Sequence, residues 1–147
     1  MDLQRIHREF PVKGGDFTGA GEAAGKIKNI LKQLGVPYGV IKRVAIASYE
    51  AEMNIVLYAI EGKLSVDINT SEIFIKAHDR GPGIPDIEKA MEEGYSTATH
   101  LIREMGFGAG MGLPNIKKAT DWMHIKSVVD EGTELQFKIF LNSKDSD

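Results

Sequence analysis

Apolar residues recur along this 147-residue chain with two periods, and the switches between them mark its elements. Residues 3–12 read as a short strand ending near Pro11, and a turn-rich stretch follows from Lys13 to Gly21. Residues 22–34 carry Ile27, Ile30, Leu31 and Leu34 at helical spacing, with Gly35 placed to end the helix. The longest periodic segment, 38–60, draws an apolar stripe through Val40, Val44, Ala47, Ala51, Ile55 and Tyr58, closed by Gly62. The period then becomes two. Leu64, Val66 and Ile68 alternate with polar residues, Asn69-Thr70-Ser71-Glu72 turns, and Ile73, Ile75 and Ala77 return as a hairpin. Asp79-Arg80-Gly81-Pro82-Gly83-Ile84 is a loop by composition, and a short helix over 86–92 follows. Residues 93–112 are glycine-rich and irregular, and 113–121 are helical with Pro114 in the first turn. A terminal hairpin runs over 122–129, turns at Asp130-Glu131-Gly132 and returns through Leu135, Phe137, Ile139 and Leu141, before a polar tail at 142–147. Trp122, Phe137 and Phe140 read as core or edge residues of that hairpin.

This order predicts an α+β fold. It is a two-layer α/β sandwich, with a mixed, mainly antiparallel sheet covered on one face by helices. One domain over 1–147 accounts for the whole chain. A chain of this size buries roughly two-thirds of its unfolded surface and folds without staples.

Composition narrows the function classes. A formal net charge of -3 provides no global basic field for nucleic acid or anionic lipid. The absence of cysteine removes disulfides, thiolate metal sites and cysteine nucleophiles, and suits a cytoplasmic location. The N-terminus has no signal-like apolar stretch, and no apolar run approaches the ~18 residues of a membrane span. His7, His78, His100 and His124 are scattered without metal-ligand spacing.

Three places carry candidate chemistry. Glu50 and Asn54, spaced i,i+4, share one face of the long helix beside its apolar stripe. A carboxylate and a carboxamide there suit proton abstraction and ligation of a hard cation such as Mg²⁺. A hydrogen-bonded surface pair beside the core is the other reading. Asp79 ends a strand and opens Asp-x-Gly-Pro-Gly-Ile. Its carboxylate can accept from a base's amino group, and Gly81 and Gly83 let the backbone approach a flat ring; an ordinary β-turn is the alternative. Gly106-Phe107-Gly108-Ala109-Gly110-Met111-Gly112-Leu113 has four alternating glycines before a helix. Such a loop can turn its N–H groups and the positive helix end toward phosphate, or serve as a flexible surface loop.

Rival phosphate motifs fail. No Gly-Lys-Ser/Thr follows the glycines, so there is no P-loop. Gly19-Ala20-Gly21-Glu22-Ala23-Ala24 fits a dinucleotide fingerprint, but no acidic residue between Glu22 and Glu50 is placed for a ribose. That stretch reads as the start of a helix. The protein-kinase lysine and His-Arg-Asp loop are absent.

Glu-x-x-x-Asn on a helix, Asp-x-Gly-x-Gly after a strand and Gly-x-Gly-x-Gly before a helix, in this order, resemble the ATPase superfamily of gyrase, the large heat-shock chaperone, sensor histidine kinases and MutL. Within it the chain is most similar to the anti-sigma and switch-protein serine kinases. Glu50–Ala59, Asp79–Ile84, Gly94-Tyr95-Ser96-Thr97, Gly110–Pro114 and Glu131-Gly132-Thr133 carry that match, over roughly residues 10–141. The resemblance implies ATP and Mg²⁺, with Glu50 as general base and Asn54 as metal ligand. Asp79 would bond the adenine amino group, assisted by Thr133, with Gly81, Gly83 and Ile84 shaping the pocket. Gly108, Ala109, Gly110, Met111, Gly112 and Leu113 would wrap the phosphates, and residues 93–112 would form a lid. Ala98 to Met105 extends that lid relative to the family pattern and brings Arg103 and His100 into it.

The resemblance implies a serine/threonine kinase acting on a regulatory protein partner, with a homodimer formed through the N-terminal strand. A nucleotide-gated anti-sigma-like module without phosphotransfer is a second reading, motivated by the lengthened lid. A detached histidine kinase catalytic domain is a third; no helical hairpin with a phospho-accepting histidine precedes the domain.

Overall fold

The computed structural model describes residues 5–92 and 112–141. In chain order these form β1 (Ile6–Lys13), α1 (Glu22–Gln33), α2 (Tyr38–Tyr58), β2 (Glu61–Ile68), β3 (Glu72–Arg80), α3 (Ile87–Ala90), α4 (Gly112–Ala119), β4 (Trp122–Val128) and β5 (Gly132–Phe140). The strands make one sheet in the order β1-β2-β3-β5-β4. Expected to be mainly antiparallel, it is antiparallel at every described pairing.

Three boundaries differ from the sequence expectation, each for a local reason. β1 runs through Pro11 to Lys13 because an edge strand tolerates a residue with no N–H to donate. α2 stops at Tyr58, where Ala59 turns extended and the Ile60 N–H donates to the Arg80 carbonyl at 2.8 Å. α4 stops at Ala119 because Arg43 of α2 closes its end. The Arg43 Nε donates to the Ala119 carbonyl at 3.0 Å, and Nη2 bonds Asp121 Oδ1 at 2.8 Å. The other Asp121 oxygen accepts from the Phe140 N–H at 2.8 Å.

α2 is the central helix. It buries Val40, Ile41, Val44, Ala47, Ala51, Met53, Ile55 and Val56, a distribution too wide for one stripe, because α1 and α4 flank it and the sheet lies beneath. The inward strand positions Leu64, Val66, Ile73, Ile75, Leu135, Phe137 and Ile139 complete the core. The opposite sheet face is polar, with cross-strand pairs such as Lys138 with Glu72 at 3.6 Å and Lys63 with Glu9 at 3.3 Å. Phe137 is therefore core, whereas Trp122 and Phe140 are exposed.

Among the described residues Glu52 is the one buried acidic or basic side chain, only 2% exposed. Its Oε2 accepts from the Gly21 N–H at 2.9 Å and the Ala23 N–H at 3.3 Å, and its Oε1 accepts from the Ala24 N–H at 2.8 Å. These include unpaired donors of the first turn of α1, which has no side-chain cap of its own. The fingerprint-like Gly19–Ala24 stretch is thus the start of α1. Glu52→Gln turns an amide donor toward one of these N–H groups, so the variant should lose about 1–3 kcal/mol of stability. Urea unfolding checks this; an unchanged midpoint would show that the carboxylate contributes nothing.

Candidate active site

The C-terminal part of α2 is the spine of the site. From Glu50 to Tyr58, the residue before Ala59, the helix rises about 12 Å at 1.5 Å per residue. Candidate residues gather at both ends of that span.

At the Ala59 end, β3 delivers Asp79 beside the start of β5. Asp79 Oδ1 accepts from the Thr133 N–H at 3.1 Å. Burial holds the Asp79 carboxyl above its ordinary value, while the Thr133 N–H and the nearby His78 pull in the other direction. Gly81 is buried, its N–H donates to the Glu131 carbonyl at 3.0 Å, and a Cβ there would stand 2.9 Å from Ala59 Cα. Gly83 has φ +75°, and a Cβ would run into the Val128 carbonyl oxygen, so only glycine fits. Ile84, half-buried, donates its N–H to Ser127 Oγ at 2.7 Å.

Ser127 was not marked by any sequence motif, yet it joins this end together. Its Oγ lies 3.1 Å from the Gly132 carbonyl and 2.8 Å from Thr133 Oγ1. A serine hydroxyl has one hydrogen and a carbonyl only accepts. Both contacts are satisfied together when Ser127 donates to Gly132 and Thr133 donates to Ser127. The usable signal was cross-strand register, since Ser127 pairs with Thr133 across the β4–β5 turn.

At the Glu50 end, Glu50 and Asn54 sit one turn apart, both part-buried, against the first residue of α4. A Cβ on Gly112 would stand 3.5 Å from Asn54 Oδ1 and 3.9 Å from Glu50 Oε1. The helix start therefore lies next to both oxygens, at ordinary contact distance for a Cβ at residue 112. Leu113, Pro114 and Ile116 are buried and anchor α4. Asn115 Nδ2 donates to Glu50 Oε2 at 2.9 Å, a contact no sequence pattern indicated. Gly108, Ala109, Gly110 and Met111, and the lid with His100 and Arg103, lie outside the described residues. Among the described residues there is no cluster of three His, Asp or Glu side chains able to hold a metal. A single amide oxygen beside a helix start suits Mg²⁺, which takes few protein ligands and completes its shell with water and phosphate.

The model of the histidine kinase-, DNA gyrase B- and HSP90-like ATPase family matches residues 39–143. The chain belongs to this family. It is 39% identical over 115 residues to the serine/threonine-protein kinase RsbT of Bacillus subtilis, covering 74% of this chain and 79% of that one. It is 30% identical over 114 residues to an anti-sigma F factor of Clostridium botulinum, covering 74% and 76%. An anti-sigma F factor of a Thermoanaerobacter species is 29% identical over 108 residues, covering 70% and 72%. Within the ATPase family the chain thus falls among the anti-sigma and switch-protein kinases. Among the described residues, the two-layer arrangement of an antiparallel sheet and the helices α1, α2 and α4 agrees with that membership. No helix among the described residues is long and apolar enough to cross a membrane.

Proposed function

We propose that this chain is an ATP-dependent protein serine/threonine kinase acting on a small regulatory protein, of the anti-anti-sigma type, in the cytoplasm. The observation that carries this reading is the seating of Glu50 and Asn54 against the Gly112 helix start in a member of this ATPase family. The Asp79 oxygen not held by Thr133 takes the adenine amino group, with Thr133 assisting. Gly81, Gly83 and Ile84 form the wall against the ring. The N-terminus of α4 at Gly112 and Leu113 continues the phosphate cradle begun by Gly108, Ala109, Gly110 and Met111.

Asn54 Oδ1 would hold Mg²⁺, which when bound neutralises charge on the transferring phosphoryl group. Glu50 Oε1 takes the proton of the partner's Ser or Thr hydroxyl. Positioning and electrostatics then account for most of the rate, as phosphoryl transfer requires. The same reading includes a homodimer joined along β1, an edge strand paired only to β2 among the described residues.

Thermal stability with and without Mg-ADP tests the nucleotide site. At a hundred times the dissociation constant, Mg-ADP should add about 2.7 kcal/mol. Asn54→Ala should lose the part of that gain that needs Mg²⁺ and keep the part seen with ADP plus EDTA. A wild type indifferent to Mg-ADP would remove the reading. The lengthened stretch from Ala98 to Met105 motivates a second reading, in which the nucleotide gates partner binding and no phosphate moves. Nucleotide-dependent capture of a sigma factor with no labelled phosphate on any protein would put it first.

A further inference from the structure

We infer that Asn115 is a positioning residue for the base, holding Glu50 with one oxygen occupied and the other turned to the reacting phosphate; this rests on the kinase reading above. Asn115 stands in the first half of α4, whose first residue, Gly112, faces the same carboxylate. Its Nδ2 donates to Glu50 Oε2 at 2.9 Å, across 65 positions of sequence. An ionised carboxylate only accepts hydrogen bonds, so the amide must present its nitrogen. The remaining oxygen, Oε1, is the one closest to Gly112, where a Cβ would come within 3.9 Å of it.

A glutamate at the edge of a helix has three side-chain torsions to restrict before it can act as a base. The bond from Asn115 removes that freedom with a charge-assisted contact between two rigid elements. It also couples base and phosphate cradle. Both depend on α4, itself fixed to α2 at the other end by Arg43 on the Ala119 carbonyl. A shift of α4 relative to α2 would therefore move the phosphate cradle and misalign the base together. Asn115 contacts no reacting atom in this scheme and acts only through Glu50.

The contact itself is read first, without turnover. In the full chain the side-chain amide ¹⁵N–¹H signals of Asn115 should move in Glu50→Ala, and an unmoved pair of signals overturns the inference outright. Phosphotransfer from labelled ATP to a recombinant anti-anti-sigma protein is then measured. Asn115→Leu should lower kcat roughly tenfold, a fraction of what general base catalysis supplies, and leave Mg-ADP affinity unchanged. Asn115→Gln should recover part of the loss. In a Glu50→Gln background, Asn115→Leu should cost nothing further, because a residue acting through Glu50 has nothing left to position. A full additional loss in that background, or a loss confined to nucleotide KM, overturns the positioning role. Responsive amide signals with a wild type that transfers no phosphate overturn the kinase reading instead, and the role of Asn115 falls with it.

Discussion

Glu50→Gln should lower phosphotransfer from ATP to a protein acceptor by roughly 10²–10⁴-fold, the span that a positioned general base supplies. The substitution is nearly isosteric, and the environment dictates how the new amide sits. With Asn115 Nδ2 kept as donor, 2.9 Å from the position of Glu50 Oε2, the carboxamide oxygen turns toward it. That leaves an NH₂ group facing Gly112, where the carboxylate presented a lone pair. An amide nitrogen accepts no proton from an incoming hydroxyl. Nucleotide binding should survive, because Asp79 and Thr133 lie at the far end of the α2 spine and Asn54 is untouched. Initial rates with labelled ATP and a fluorescent ADP titration measure the two effects separately. Transfer at the wild-type rate would remove Glu50 as base. A parallel collapse of ADP affinity would mean that Glu50 holds the metal or the phosphates rather than the proton.

How much of this was readable before folding depends on how local each signal is. The α2 stripe and the hairpin alternation depend on neighbours three, four or two residues away, and those elements lie where the periods put them. Glu50 and Asn54 were legible for the same reason, since i,i+4 spacing fixes a shared face. Glu52 was not. It stands two residues from Glu50, about 200° round the helix, and serves the opposite neighbour: Glu52 meets the start of α1, while Glu50 meets α4. Nothing in Glu50-Ala51-Glu52 says which carboxylate faces which helix. Asn115 and Ser127 were silent for a related reason. Each gains its meaning from a partner on another element, through helix docking for Asn115 and strand register for Ser127. Sequence period tells which face of an element is buried; it does not tell what lies across from a polar residue at the edge of that face. The break at Ala59 is similar. Apolar residues continue past it, but the chain leaves the helix there to pair Ile60 with Arg80, and that exit makes room for Gly81 against Ala59.

Asp79→Asn should weaken Mg-ADP binding by roughly 10²–10³-fold while leaving the nucleotide-free protein as stable as wild type, or more so, at neutral pH. The affinity loss follows from orientation. The Thr133 N–H, 3.1 Å from Asp79 Oδ1, can only donate, so it selects the oxygen of the substituted carboxamide. The amide NH₂ is left to face the adenine amino group, setting donor against donor. Losing a hydrogen bond to a charged acceptor costs about 1.5–3 kcal/mol, and two opposed donors add the cost of an unmade bond. The stability effect has the opposite sign. Burial raises the Asp79 carboxyl above its ordinary value of 3.8, more than the Thr133 N–H and His78 lower it. The folded chain therefore holds that proton more tightly than the unfolded chain. The resulting stabilisation is full below the ordinary value and is lost as pH rises from there through the folded pKa. At neutral pH wild type carries a partly buried charge with one backbone partner, and the asparagine variant does not. Urea midpoints from pH 3 to 7 should therefore fall less steeply for the variant over the lower part of that range. A variant that loses stability at neutral pH without nucleotide would show that Asp79 serves chiefly to fasten β3 to β5, and its role at the adenine would have to be given up.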